Sequence, residues 1–99
     1  MNVLKIDGDK LELRSDRGSY IRTIATRDVV DADLNGDGMI VITLQNGKVE
    51  LRKENGSYVR TIVSRDALSA RWNGENIAIR LANGKTELRK EDGSYIRTI

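Results

Sequence analysis

The chain contains no cysteine, no histidine, no proline and no phenylalanine. Without cysteine there is no disulfide framework and no thiolate chemistry, a composition that suits a reducing compartment. Without histidine, the usual zinc sites and the His-dependent catalytic arrangements are excluded. Aromatics are scarce, with one tryptophan and three tyrosines, which is thin for stacking against sugar faces. No apolar run approaches membrane-spanning length, and the first residues lack the charged-then-apolar pattern of a secretion signal. No membrane association is expected, and the expected location is cytoplasmic. A formal charge of +2 does not by itself point to nucleic acid.

What the sequence does have is repetition. The phrase Lys-X-Glu-Leu-Arg, a Gly-Ser turn, then Tyr-(Ile/Val)-Arg-Thr-Ile runs from Lys10 to Ile24, from Lys48 to Ile62 and from Lys85 to Ile99. Tyr20 to Tyr58 is 38 positions and Tyr58 to Tyr95 is 37. Periods of this length mark arrays in which one unit stacks on the next to bury its apolar face. Residues 1–24, 25–62 and 63–99 are taken as the three units of one domain.

Each full unit reads as four short strands. The first alternates, with Val30, Ala32 and Leu34 matching Leu68, Ala70 and Trp72 on one side, and period two is the mark of a strand. The second, Met39 to Leu44, is almost wholly apolar and should be buried on both faces. Val3 to Ile6 aligns with this second strand, so the first unit carries only three.

Turn residues then suggest registers. Asn46-Gly47 and Asn83-Gly84 suit two-residue type I′ hairpins, which would set Leu44 opposite Val49 and Ile42 opposite Leu51. Gly8-Asp9 suits a type II′ turn pairing Ile6 with Leu11 and Lys5 with Glu12. A three-residue loop at Glu54-Asn55-Gly56 would pair Arg52 with Tyr58, Leu51 with Val59 and Glu50 with Arg60. The equivalent pairs are Glu12–Arg22 with Arg14–Tyr20, and Glu87–Arg97 with Arg89–Tyr95.

Short connections, no helical pattern and four-stranded antiparallel units at this period point to blades of a β-propeller. The stretch Ala67–Ile99, ALSARWNGENIAIRLANGKTELRKEDGSYIRTI, resembles a WD40-type blade. Its layout carries a first strand ending in Trp-Asn, an Asn-Gly-Glu-Asn turn, an Ile-Ala strand, an Asn-Gly hairpin and two charged strands. Most of the chain shares that layout, whereas Arg52-Lys53 and Arg89-Lys90 stand where the family has Trp-Asp, and its Gly-His pair is missing. The resemblance implies an all-β antiparallel meander of three blades acting as a non-catalytic interaction platform. A ring needs more than three blades, so the resemblance also implies completion by self-association. A homodimer of six blades is favoured over a homotrimer of nine.

Candidate sites follow. The first strands would line the channel, and there the units differ, with Asp31 and Asp33 in one and Ser69 and Arg71 in the other. These four are the candidate binding residues, suited to another protein or a peptide. Asp31, Asp33, Asn35 and Asp37 match the opening of a calcium loop, but Ile42 stands where the loop needs its bidentate glutamate, so no metal is assigned. The repeated Glu–Arg pairs read either as a charged rim or as ion pairs holding register. The arginines with Lys53, Lys90 and the tyrosines outline a basic stripe, but each arginine is expected to face a glutamate that neutralises it, so nucleic acid is not favoured. No nucleophile–base pair or phosphate loop is visible, and nothing calls for a cofactor or supports catalysis. The alternatives are a purely structural or engineered repeat without a ligand, or a small oligomeric lectin.

Overall fold

The computed structural model describes all 99 residues and contains strands only. They are β1 (Val3–Asp7), β2 (Lys10–Arg14), β3 (Tyr20–Ala25), β4 (Val29–Leu34), β5 (Met39–Leu44), β6 (Val49–Lys53), β7 (Tyr58–Val63), β8 (Ala67–Asn73), β9 (Asn76–Leu81), β10 (Thr86–Arg89) and β11 (Tyr95–Thr98). They form three antiparallel sheets in meander order: β1-β2-β3, β4-β5-β6-β7 and β8-β9-β10-β11. The blades fan out from their inner strands, because β4 lies against β8 and β1 lies against β4.

The core consists of two blade junctions. Leu11, Leu13 and Ile24 of the first blade pack on Val29, Ile40 and Ile42 of the second. Val41, Val49, Leu51 and Ile62, from the other face of the second blade, pack on Ala67, Ala70, Ile77 and Ile79 of the third. This explains the unbroken apolar run of β5. Ile40, Val41, Ile42 and Thr43 are all fully buried because the middle blade is covered on both sides.

The hairpin registers differ from the sequence expectation in two of three cases. Gly8-Asp9 behaves as expected: Ile6 faces Leu11, Lys5 faces Glu12, and only the glycine has positive φ. At Asn46-Gly47 the register is one residue away, with Thr43 opposite Val49 and Ile42 opposite Glu50. The loop holds three residues, Gln45 to Gly47, closed by Gly47 N–H donating to Leu44 O at 2.9 Å and Leu44 N–H donating to Lys48 O at 2.8 Å. Only Gly47 is left-handed, while the Asn46 side chain accepts from Lys48 N–H at 3.0 Å. Because β5 is apolar on both faces, its pattern could not choose between registers, and local turn chemistry decided. Asn83-Gly84 follows suit, setting Thr86 opposite Arg80.

The expected outer pairing holds at its first step and then changes. Arg52 faces Tyr58, but Leu51 faces Arg60, Glu50 faces Thr61 and Val49 faces Val63. Two bulges therefore leave Val59 and Ile62 as the extra residues. Both are apolar and both pack into the core. Strict alternation would send residues three apart to opposite faces, and the bulges prevent that. The same shift in the other blades sets Glu12 opposite Thr23 and Glu87 opposite Thr98, so the Glu–Arg cross-strand pairs do not form. A bulge also enters the first strands: Val30 and Leu68 are 50% and 53% exposed, while Val29 and Ala67 turn inward in their place.

Two predictions follow from this packing. Gly47 and Gly84 have nearly the same φ, +85° and +88°, yet an added Cβ at Gly47 would lie 2.5 Å from Asp66 N, whereas at Gly84 it meets nothing. Gly84→Ala should cost only the backbone strain, about 1 kcal/mol, and Gly47→Ala about 2–4 kcal/mol, as read by urea unfolding. The Thr43 hydroxyl is buried without a hydrogen-bond partner. Thr43→Val should therefore stabilise the chain by about 1 kcal/mol in the same assay.

Candidate functional site

Of the four candidate channel residues, three meet across a blade junction. Arg71 Nη1 donates to both carboxylate oxygens of Asp31, at 2.8 and 2.7 Å. That contact raises the guanidinium's already high pKa further, first through the hydrogen bond and then through charge. Asp33 accepts from the Trp72 main-chain N–H at 2.8 Å, and its own carbonyl accepts from the indole Nε1–H at 3.1 Å. Trp72 is thus half-buried core, as its match to Leu34 implied. Ser69 lies on the same strand as Arg71, paired with Arg80 of β9. The unlike residues of the two first strands are therefore complementary partners joining adjacent blades.

These contacts also dismantle the calcium-loop motif. Asp31 is committed to Arg71 and Asp33 to Trp72, while Asn35 accepts from its own turn, from Asp37 N–H and Met39 N–H at 2.9 Å each. No three acidic groups converge anywhere in the chain.

The repeated charges make a different pattern from the one expected. Each glutamate pairs with the arginine two residues along its own strand: Glu12–Arg14 at 2.7 Å, Glu50–Arg52 at 3.2 Å and Glu87–Arg89 at 3.0 Å. Each arginine also caps the following turn, donating to the carbonyl of Gly18, Gly56 or Gly93. Only Arg89 lies over its tyrosine at cation–π distance, 5.9 Å from the Tyr95 ring centre. The tyrosine hydroxyls instead bond Thr23, Thr61 and Thr98 on their own strands.

The second arginine of the repeat, expected to face a glutamate, ties blades together. Arg22 Nη1 donates to the main-chain carbonyl of Glu54 in the next blade at 2.7 Å, and Arg60 Nη1 to that of Glu91 at 2.9 Å. At the inner end, Val29 N–H donates to Asp9 O at 2.9 Å and Ala67 N–H to Gly47 O at 3.0 Å. Both linkers turn through an aspartate held at positive φ, Asp28 at 66° and Asp66 at 69°. A non-glycine residue there is strained, and aspartate is among the residues that tolerate it best.

Each junction also opens a cleft. One, of about 460 Å³, is lined by Arg27, Asp28, Leu44, Glu50 and Arg52. The other, of about 640 Å³, is lined by the matching Arg65, Asp66, Leu81, Glu87 and Arg89. The sequence held a signal for them in the recurring Thr/Ser-Arg-Asp linker after each outer strand, which the focus on turns and first strands passed over. A third hollow, of about 630 Å³ on the opposite rim, includes Asp37, Trp72, Glu75 and Lys90.

The Glu12 carboxylate carries a pH signature. The Arg14 hydrogen bond holds it below the ordinary glutamate value, against the opposing effect of burial. A depressed folded pKa gives stability that is present above the ordinary value and lost as pH falls through the lowered one. Glu12→Gln should therefore flatten the acid limb of a melting-temperature profile taken from about pH 6 down to about pH 2.

The chain matches no protein-family model and no curated protein sequence. Among solved structures it is similar to the β-propeller domain of Cps50 (Swd1) from Myceliophteria thermophila, with a TM-score of 0.67 and 16% sequence identity. That similarity covers 97% of this chain and 33% of the other, so the chain spans about a third of the propeller it matches. Three meander sheets fanned about their first strands, with this match, make the chain an all-β array of WD40-like β-propeller blades.

Proposed function

We propose that the chain is a non-catalytic binding or scaffold module that self-associates head to tail into a closed propeller. The observation that carries this reading is the repetition of one junction. Its trailing half recurs on the last blade and its leading half on the first. Arg97 is the counterpart of Arg22 and Arg60, and it is exposed. Asp16 holds the loop position of Glu54 and Glu91, whose carbonyls accept those arginines. Ile99 is 73% exposed, whereas the matching Ile24 and Ile62 are 5% exposed beneath a following blade. An exposed apolar and hydrogen-bonding surface that is covered twice within one chain is matched by the same kind of neighbour. Two copies would give six blades, favoured over nine from three.

In that ring the inner strands and the junction clefts are the surfaces offered to a protein or peptide. The catalytic alternatives lack a nucleophile–base pair, and the acidic groups that meet do so as ion pairs or turn caps. A reducing interior such as the cytoplasm suits a cysteine-free chain of this kind.

Light scattering across a dilution series tests the reading. A discrete dimer is expected for the native chain, and Arg97→Glu should shift it towards monomer while leaving the circular dichroism spectrum unchanged. A native chain that is monomeric at every concentration would overturn the ring.

A further inference from the structure

The inner edge of the first blade is unlike the other two. In the second and third blades β5 and β9 are each flanked by an inner strand, β4 or β8, whereas β1 pairs with β2 alone. Its outer neighbours make the same ladder as in the other blades, so the open edge is the place where a fourth strand belongs. The surroundings fit such a strand. Val3 is 46% exposed and Ile6 38%, while their positional counterparts Ile40 and Thr43 are fully buried. A hollow of about 250 Å³ beside β1 is walled mostly by apolar residues, among them Val3, Leu4, Ala32 and Leu34.

The hydrogen bonds that seat an inner strand are known from the two that are present. Asp28 O accepts from Gln45 N–H at 2.7 Å, and Asp66 O from Ala82 N–H at 2.8 Å. In the first blade the same position is held by Gly8, whose N–H donates no comparable bond. A sheet edge with an unpaired backbone, an apolar wall and a ready donor is a template for strand addition.

We propose that the β1 edge binds an extended peptide of another polypeptide, added antiparallel as the inner strand of the first blade. The sequence it accepts is set by β4 and β8. It begins with aspartate or another residue tolerant of a left-handed backbone, followed by a small or β-branched apolar residue. After one outward residue the apolar positions alternate, as at Ala67, Ala70 and Trp72, where burial alternates with exposure. Asp33, whose carboxylate is engaged only by a main-chain N–H, lies on the neighbouring β4 and favours a basic residue on the incoming strand. Self-association is not required, because every contact named lies within one chain.

The test uses a fluorescein-labelled synthetic peptide copying Asp66–Asn73, titrated with the full chain and read by anisotropy. Saturable binding is expected, together with at least a tenfold loss of affinity for the same peptide carrying Ala70→Pro, which cannot complete the ladder. The paired variant Val3→Glu and Ile6→Glu should weaken binding by a similar factor, and because both sites are exposed the variant is expected to fold. Its circular dichroism spectrum and melting curve are recorded alongside. If they show it unfolded, a paramagnetic label on the peptide and amide line broadening at Val3–Gly8 of the native chain replace it. No binding by the native chain, equal binding of the proline peptide, equal binding by a folded double variant, or broadening confined to other residues would each overturn the proposal.

Discussion

Everything in this molecule depends on burying one sheet face against the next. A single four-stranded unit has two broad faces and no helix to cover either, so its apolar residues are satisfied only by another blade. The middle blade shows the consequence most plainly, since β5 contributes Ile40 and Ile42 to one junction and Val41 to the other. The strand has no polar side because it has no solvent side. Hydrophobic burial supplies the attraction, and the main-chain bonds from Val29 and Ala67 to the preceding hairpin fix how far apart the inner strands stand.

The charged residues serve the same constraint. Glu12, Glu50 and Glu87 hold the arginine two places on, and that arginine clamps the turn beyond it. The next arginine in the repeat reaches past its own sheet to a carbonyl in the neighbour. A guanidinium on a long stem suits this reach because its donors tolerate a main-chain oxygen as readily as a carboxylate. At the inner end, Asp31 with Arg71 and Asp33 with Trp72 replace repetition by complementarity. Divergence between copies at those positions thus has a structural cause, and ligand selection is not needed to explain it.

The blade layout was legible in the sequence because it rests on period, alternation and turn residues, all of which are local. Gly8-Asp9 set its hairpin correctly since the charged residues around it allow only one sensible face. Asn46-Gly47 did not, because a strand apolar on both sides gives no preference between neighbouring registers. The bulges at Val59 and Ile62 were hidden for a related reason: they exist to bring two apolar residues three apart into one core, which no strand template anticipates. The partners of Arg22, Arg60, Asp31 and Asp33 lie 31 to 40 residues away, across a junction that becomes visible only once the blades are stacked.

The central claim is that the blades are cooperative through their junctions, and native-state amide hydrogen exchange addresses it directly. The amides of Val29 and Ala67 bond only across junctions, while those of Ile42 and Leu51 lie inside the middle sheet. The account predicts that all four exchange with the same free energy, equal to that of global unfolding. Exchange of Val29 and Ala67 at far lower free energy, with Ile42 and Leu51 still protected, would contradict it and make each blade a folding unit of its own.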